Sequence, residues 1–166
     1  INKIIKNRQA GVLIMVPTRE LAQQITEEFR EFAVGLNIHA TVCVGGTGLG
    51  LQISELRRKP HFVIGTPGRL KDLLERKAFS LSDFQTVVLD EADRMLDMGF
   101  APQLKRILTA LPHERQTMLF SATMPEEIIS IARSYMKLPV RVEIARSGST
   151  AKDVTQELFF VAQESK

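Results

Sequence analysis

Short apolar runs alternate with segments of helical periodicity along most of this chain, and that alternation limits the folds it can adopt. The runs are too short for buried helices and lack the polar alternation of half-exposed strands, so they predict strands buried on both faces. They are Val12–Val16, Thr41–Val44, Phe62–Ile64, Val87–Leu89 and Thr117–Phe120.

The segments between these runs predict the helices that must cover the two faces. Apolar residues recur at helical spacing from Leu21 to Phe32, and charged residues fill the opposite side of that segment. Similar patterns predict helices over Gly50–Arg57, Gly68–Glu75, Ala101–Leu111 and Glu126–Met136. The order of elements predicts an α/β fold with a mainly parallel sheet and helices on both faces, in which loops at the carboxyl ends of the strands carry the function.

Composition narrows the class of protein further. At 166 residues the chain is long enough for one domain, and no apolar run approaches the roughly 20 residues that cross a bilayer. The single cysteine, Cys43, cannot form an internal disulfide, so we expect an intracellular, cytoplasmic protein with no membrane partner. The net charge of +3 permits an anionic partner without requiring one. The sequence does not indicate an oligomeric state.

An acidic segment, Asp90-Glu-Ala-Asp93, directly follows the fourth apolar run. A carboxylate at the end of a strand can hold Mg²⁺, usually through water, and an adjacent glutamate can orient a water that attacks a phosphoryl group. The alternative is a helix N-terminus stabilised by acidic residues. This segment alone leaves both interpretations open.

Polar residues follow the other predicted strands as well. They are Pro17-Thr-Arg-Glu-Leu-Ala22, Gly45-Gly46, Thr66-Pro-Gly-Arg69 and Ser121-Ala-Thr123. Taken in this order around the acidic segment, they resemble the motifs of the first helicase domain of DEAD-box RNA helicases, from about Gly11 to Pro139. The resemblance implies a RecA-like P-loop NTPase fold, with ATP and Mg²⁺ as cofactors and RNA as a partner.

The resemblance also assigns the acidic segment and its neighbours to catalysis. Asp90 would hold Mg²⁺ by way of water, and Glu91, beside the metal, would position the attacking water. Asp93 would join Ser121 and Thr123 in a hydrogen-bonded link between the nucleotide and RNA faces. As a further possibility, the carboxylates could serve a two-metal hydrolase, although no histidine lies close to them in sequence.

The remaining motif residues are of types that suit contacts with a sugar–phosphate backbone. Hydroxyl groups donate hydrogen bonds, glycines allow close approach of backbone amides, and arginines supply charge in a forked geometry. By similarity to the family, they line one half of an RNA groove that is not specific for sequence. The residues are Thr18, Arg19, Gly45, Gly46, Thr66, Gly68 and Arg69. Each also has a local alternative, such as an N-cap for Thr18 or a turn for Gly45-Gly46.

Two elements of the family pattern are absent from this sequence. A Gly-x-x-x-x-Gly-Lys-Ser/Thr phosphate loop is not found, because Leu51 and Gln52 follow the correctly spaced Gly45 and Gly50. The upstream glutamine motif of the family is also missing, so we expect a fold that is incomplete at its N-terminus, with an open sheet edge beside the strand that precedes Ser121.

These features lead to two functional hypotheses. Residues 1–145 would form a partial first helicase domain, the ATP-binding half without its phosphate-loop strand, and residues 146–166 a linker toward a second helicase domain. The parent protein would then be an ATP-dependent RNA helicase that couples ATP hydrolysis to local duplex unwinding. Alternatively, the 166-residue chain alone would be a non-hydrolysing module that binds RNA or a partner.

Overall fold

A computed structural model of the chain describes residues 1–7 and 10–143. The sheet has five strands in the spatial order β2-β3-β1-β4-β5, and every pair of neighbours is parallel. The strands are β1 (Gly11–Met15), β2 (Ala40–Cys43), β3 (Phe62–Gly65), β4 (Phe84–Leu89) and β5 (Gln116–Leu119). The predicted α/β fold with a parallel sheet is therefore confirmed, and the expected linker at 146–166 lies outside the described residues.

Helices connect the strands. They are α1 (Asn2–Lys6), α2 (Arg19–Phe32), α3 (Leu49–Leu56), α4 (Pro67–Glu75), α5 (Ala92–Asp97), α6 (Ala101–Ala110) and α7 (Glu126–Tyr135). The short α5 was not predicted as an element, whereas the helices predicted from periodicity lie within one or two residues of their expected bounds. None of the helices in the described ranges is long and apolar enough to span a bilayer.

The sheet is apolar on both faces, and the side chains of its central strand, β1, pack alternately into cores on the two sides. Leu13 and Met15 are fully buried on one side, where they pack with apolar residues of α3 to α7. Val12 lies on the other side, in a cluster with Ile4 of α1. On that side Ala22 of α2 also packs against the sheet. Helices thus cover both faces, as expected for buried parallel strands.

The sheet is open at β5. Within the described residues β5 pairs only with β4, and its side chains are half-buried or exposed. Phe120 is 54% exposed, and a groove of about 1190 Å³ runs between β5 and the segment that contains Leu138, Val140 and Val142. Each of these three residues is more than 80% exposed, so this edge presents apolar side chains to solvent.

Candidate functional site

The polar loops meet at one edge because all five strands run in the same direction. Backbone hydrogen bonds continue across the strands just past their ends, from the amide of Asp90 to Met15 O (3.0 Å) and from that of Thr66 to Cys43 O (3.1 Å). The amide of Phe120 likewise donates to Leu89 O (2.8 Å). The starts of the loops after β3, β4 and β5 are therefore fixed by their neighbouring strands.

The acidic segment begins with two differently constrained carboxylates. Asp90 Oδ1 accepts a hydrogen bond from the amide of Glu91 (3.0 Å), and its Oδ2 makes no hydrogen bond within the described part of the chain. Glu91 adopts a left-handed backbone conformation (φ 50°), which costs a non-glycine residue about 1 kcal/mol. Its carboxylate forms an ion pair with Arg94 at 3.1 Å. Glu91 is the N-cap residue of α5 but makes no side-chain capping bond, and Asp93 lies in the first turn of that helix, so both interpretations of this segment are compatible with the structure.

Asp93 is held by the loop that follows β5. Thr123 donates to Asp93 Oδ2 from both its hydroxyl and its amide, each at 2.8 Å. The amide of Asp93 donates to Ser121 Oγ (3.2 Å), and Ser121 Oγ donates to Thr123 O (2.7 Å). Partial burial acts to raise the pKa of Asp93, but the hydrogen bonds from Thr123 and from the amide of Arg94 outweigh it and hold the pKa below its usual value. The three residues form one hydrogen-bonded unit.

A second group of side chains surrounds the turn at Gly45 and Gly46. Gly46 has φ +76°, and a Cβ at this position would lie 2.2 Å from Nη2 of Arg19. The guanidinium of Arg19 therefore lies against the glycine backbone, in a space that only glycine leaves free. Gly45 has open space where a Cβ would be. The structure thus brings together the loops after β1 and β2.

Arg69 connects the same turn to the loop after β3. Its Nη1 donates to Gln52 Oε1 (3.2 Å) and to Thr47 O (3.4 Å). Gln52 Nε2 in turn donates to Val44 O (3.0 Å) and to Thr47 Oγ1. Arg19 and Arg69 therefore both lie against the turn that follows β2.

The other residues predicted to contact RNA are placed by local structure. Thr18 caps α2, because its Oγ1 accepts a hydrogen bond from the amide of Leu21 (3.2 Å). Thr66 precedes α4 without a side-chain capping bond, and a Cβ at Gly68 would meet only the ring of Phe100, at 3.7 Å. The N-cap alternative for Thr18 is thus observed, and its hydroxyl hydrogen remains available to donate.

Sequence reasoning missed Gln52, Thr47 and Arg94. Gln52 was noted only as the residue in the hydroxyl position of an incomplete phosphate-loop pattern. Its position was nevertheless informative, because it lies three residues after Leu49 and four before Leu56, on the apolar side of α3. A polar residue on a buried helix face requires hydrogen-bond partners.

The residues present fit magnesium through water better than direct ligation. Within residues 1–7 and 10–143, no three His, Cys, Asp or Glu side chains form a cluster that could hold a metal ion. Asp90, with one carboxylate oxygen unengaged, matches a site that supplies one carboxylate while water and phosphate oxygens complete the shell. Asp93 is committed to Thr123.

Comparisons with known proteins agree with this architecture. The family model described as DEAD/DEAH box helicase matches residues 1–131. The chain is similar to the ATP-dependent RNA helicase DeaD of Buchnera aphidicola subsp. Baizongia pistaciae (strain Bp), with 44% identity over 155 residues, 93% of this chain and 26% of that protein. This chain therefore spans about a quarter of that relative's length.

Two solved structures are also similar. A hypothetical ATP-dependent RNA helicase from Sulfolobus tokodaii has a TM-score of 0.76 and 35% identity, over 81% of this chain and 40% of that chain. A DEAD box protein from the hyperthermophile Methanococcus jannaschii has a TM-score of 0.73 and 38% identity, over 79% of this chain and 36% of that chain.

The parallel sheet, with its helices on both faces and its polar loops at one edge, defines an α/β domain of the RecA-like class. Within that class, the chain belongs to the DEAD/DEAH box helicase family and corresponds to its N-terminal domain.

Proposed function

We propose that this chain is the part of an ATP-dependent RNA helicase that holds the RNA backbone and couples it to ATP hydrolysis. The observation that carries the proposal is the position of two groups of side chains at one edge of the sheet. The acidic group lies after β4 and β5, and the basic and hydroxyl group lies after β1, β2 and β3. Local duplex unwinding, together with a second helicase domain, completes the proposed activity.

In the acidic group, Asp90 would hold Mg²⁺ through water, and Glu91 would orient and deprotonate the water that attacks the terminal phosphoryl group. Bound Mg²⁺ supplies charge neutralisation for the phosphoryl oxygens. Glu91 is paired with Arg94 through Oε2 in this structure, so its other oxygen, Oε1, can accept a proton from water without loss of that ion pair. The pair is half exposed and its loss costs little.

Asp93, Ser121 and Thr123 would transmit the state of the nucleotide to the RNA-binding loops. Their contacts are hydrogen bonds between two short side chains, or between a short side chain and a backbone atom. Neutral hydrogen bonds contribute about 1 kcal/mol each and bonds to a carboxylate about 1.5–3 kcal/mol, so the group can exchange partners with little change in stability when each lost bond is replaced. The position of the group between β4 and β5 supports this role.

The RNA-binding group consists of Thr18, Arg19, Gly45, Gly46, Thr66, Gly68 and Arg69. Its chemistry suits phosphate and ribose, because hydroxyls, backbone amides and guanidinium groups donate hydrogen bonds and carry no information about base identity. The proposed binding is therefore independent of RNA sequence. A cytoplasmic location is part of the same proposal.

Replacing Glu91 tests the catalytic half, in an ATP-hydrolysing protein that contains this sequence. Glu91→Gln should leave ATP affinity nearly unchanged and lower the turnover number at least about a hundredfold, because the amide cannot accept the proton. Glu28→Gln, at an exposed position of α2, is the matched control. Hydrolysis that is unimpaired in Glu91→Gln would remove this residue from its role.

The RNA-binding half is tested with the 166-residue chain. Arg69→Ala should weaken binding to several unrelated single-stranded RNAs by a similar factor and reduce the slope of log affinity against log salt by about one. Arg30→Ala, on the exposed side of α2, is the control. A change in base preference would contradict contact with phosphate.

A non-hydrolysing RNA-binding module is the second candidate, for the 166-residue chain by itself. It is supported by the sequence of the 166 residues, in which no Gly-x-x-x-x-Gly-Lys-Ser/Thr phosphate loop occurs. Titration of the chain with a fluorescent ATP analogue and Mg²⁺ should detect little binding. Micromolar affinity would refute this candidate.

A further inference from the structure

Gln52 is an unusual residue for the buried side of a helix. It is 3% exposed, and its neighbours along the same face of α3, Leu49 and Leu56, pack in the main core. Burial of a carboxamide is costly unless its donors and acceptor are satisfied. The partners of Gln52 therefore indicate why an apolar residue does not occupy this position.

Every partner of Gln52 belongs to, or adjoins, the RNA-binding group. Both N–H groups of Nε2 are used, one toward Val44 O and one toward Thr47 Oγ1, and Oε1 accepts from Nη1 of Arg69. Thr47 Oγ1 donates to Val44 O as well (3.1 Å), so the turn is closed on both sides. One side chain thus joins the loop after β2 to the helix after β3.

We propose that Gln52 is a positioning residue for RNA: its carboxamide is anchored to the turn at Val44 and Thr47, and from there it fixes the Arg69 guanidinium in the arrangement that meets the phosphate backbone. This inference rests on the RNA-binding role proposed above. Gln52 does not itself touch RNA, because its carboxamide is buried and its hydrogen-bonding groups are occupied within the protein.

The geometry at Arg69 explains how this positioning works. Gln52 and Thr47 take Nη1, whereas Nε and Nη2 make no hydrogen bond within the described residues. These are the groups with which arginine forms a forked contact to phosphate. With Nη1 held by the protein, Nε and Nη2 are left for the phosphate. The held side chain also has less conformational freedom to lose when RNA binds, which favours binding.

Neither methionine nor glutamate reproduces these contacts. Methionine has a similar length and volume but neither donates to Val44 O nor accepts from Arg69. Glutamate keeps an acceptor for Arg69 but cannot donate to the turn, and its charge competes with phosphate for the guanidinium. Gln52→Met and Gln52→Glu therefore test the proposal in different ways.

The experiment measures RNA affinity of the 166-residue chain by fluorescence anisotropy over a range of salt concentrations. Gln52→Met should lower RNA affinity about tenfold, because the loss of its hydrogen bonds weakens one phosphate contact. It should also reduce the slope of log affinity against log salt by about one. In the Arg69→Ala background the same substitution should change affinity less than about twofold, because the group it positions is gone. Gln85→Met, at an exposed site near the amino end of β4, controls for the substitution itself.

The salt slope separates positioning from a merely structural role. A variant that is only less folded binds with a lower active fraction but an unchanged slope, and its effect adds to that of Arg69→Ala. An unchanged salt slope in Gln52→Met, or an effect that adds to that of Arg69→Ala, would overturn the proposal.

If Gln52→Met does not fold, Gln52→Glu provides the test. The same flattened slope is expected for that variant, and an unchanged slope would refute the proposal. If Arg69→Ala alone leaves RNA affinity and the salt slope unchanged, the RNA-binding role of Arg69 is refuted. If Arg69→Ala weakens binding but Gln52→Met does not, only the positioning by Gln52 is refuted.

Discussion

Thr123 donates two hydrogen bonds, from its amide and its hydroxyl, to the same carboxylate oxygen of Asp93, both at 2.8 Å. Thirty residues separate these two groups in sequence, and the loop after β5 reaches α5 through them. Ionised carboxylates form stronger hydrogen bonds than neutral acids, so this contact favours the charged form of Asp93.

Thr123→Val should raise the pKa of Asp93 toward its ordinary value, because it removes the hydroxyl donor and keeps the shape of the side chain. The measurement is an NMR pH titration of the Asp93 carboxyl carbon. A folded-state pKa below the unfolded one stabilises the protein above the unfolded pKa, and this stabilisation is lost as pH falls through the folded pKa. The variant should therefore lose less stability on acidification. Thr109→Val, whose hydroxyl donates to Lys105 O in α6, is the control, and an equal pKa shift there would contradict the assignment.

Gly46→Ala should reduce stability by about 1 kcal/mol because of the positive φ, and should weaken RNA binding because the new methyl displaces the guanidinium of Arg19. Urea unfolding and RNA anisotropy measure the two effects. Gly48→Ala is the matched control, since its φ is −57° and a Cβ there meets nothing within 4 Å. Equal stability and equal RNA affinity in Gly46→Ala and Gly48→Ala would show that the position of the Arg19 guanidinium does not depend on Gly46.

Gly65→Ala should destabilise the chain by about 3 kcal/mol, the upper part of the range for overpacking. A Cβ at this position would lie 2.3 Å from Cys43 O, a backbone atom of the adjacent strand that cannot move away. Gly50→Ala, in open space in α3, should instead stabilise by about 0.5 kcal/mol, as alanine favours helix. Urea unfolding of both variants gives the comparison, and a mild effect at Gly65 would mean that β2 and β3 can separate.

The Cys43 thiol should react slowly with a disulfide reagent at pH 8 in the folded protein. Burial, with the nearby Glu55 carboxylate, raises its pKa to about 12, while the Arg69 guanidinium acts in the opposite direction. The stabilisation linked to this shift is complete below the ordinary thiol pKa and is lost as pH rises toward 12. Labelling rates in increasing urea should follow the unfolded fraction. Rapid labelling without urea would place Cys43 at the surface.

The parallel sheet was predictable because its strands are continuous apolar runs, and only their bounds differ. The fourth strand begins at Phe84 and not at Val87, because exposed Gln85 and buried Thr86 interrupt the apolar pattern that marks a strand. The short α5 was not predicted, since six residues carry too little periodicity and its start requires a left-handed glutamate.

The candidate site was predictable as a set of loops at one edge, but not in its contacts. Motif order identified Asp93, Ser121 and Thr123, whose hydrogen bonds depend on the exact path of two loops. Gln52 matches none of the motifs that follow the strands, and its importance is apparent only when Val44, Thr47 and Arg69 surround it. Burial of a polar group is a property of the folded chain, so residue type alone does not disclose it.

The outer side of β5 affects how the isolated chain behaves at high concentration. Within the described residues no strand pairs with this side of β5, and Phe120, Val140 and Val142 are exposed beside it, so it forms a template on which another molecule can add a strand. Self-association should therefore begin at this strand and limit solubility, and a lysine introduced on the outer side of β5 should slow it.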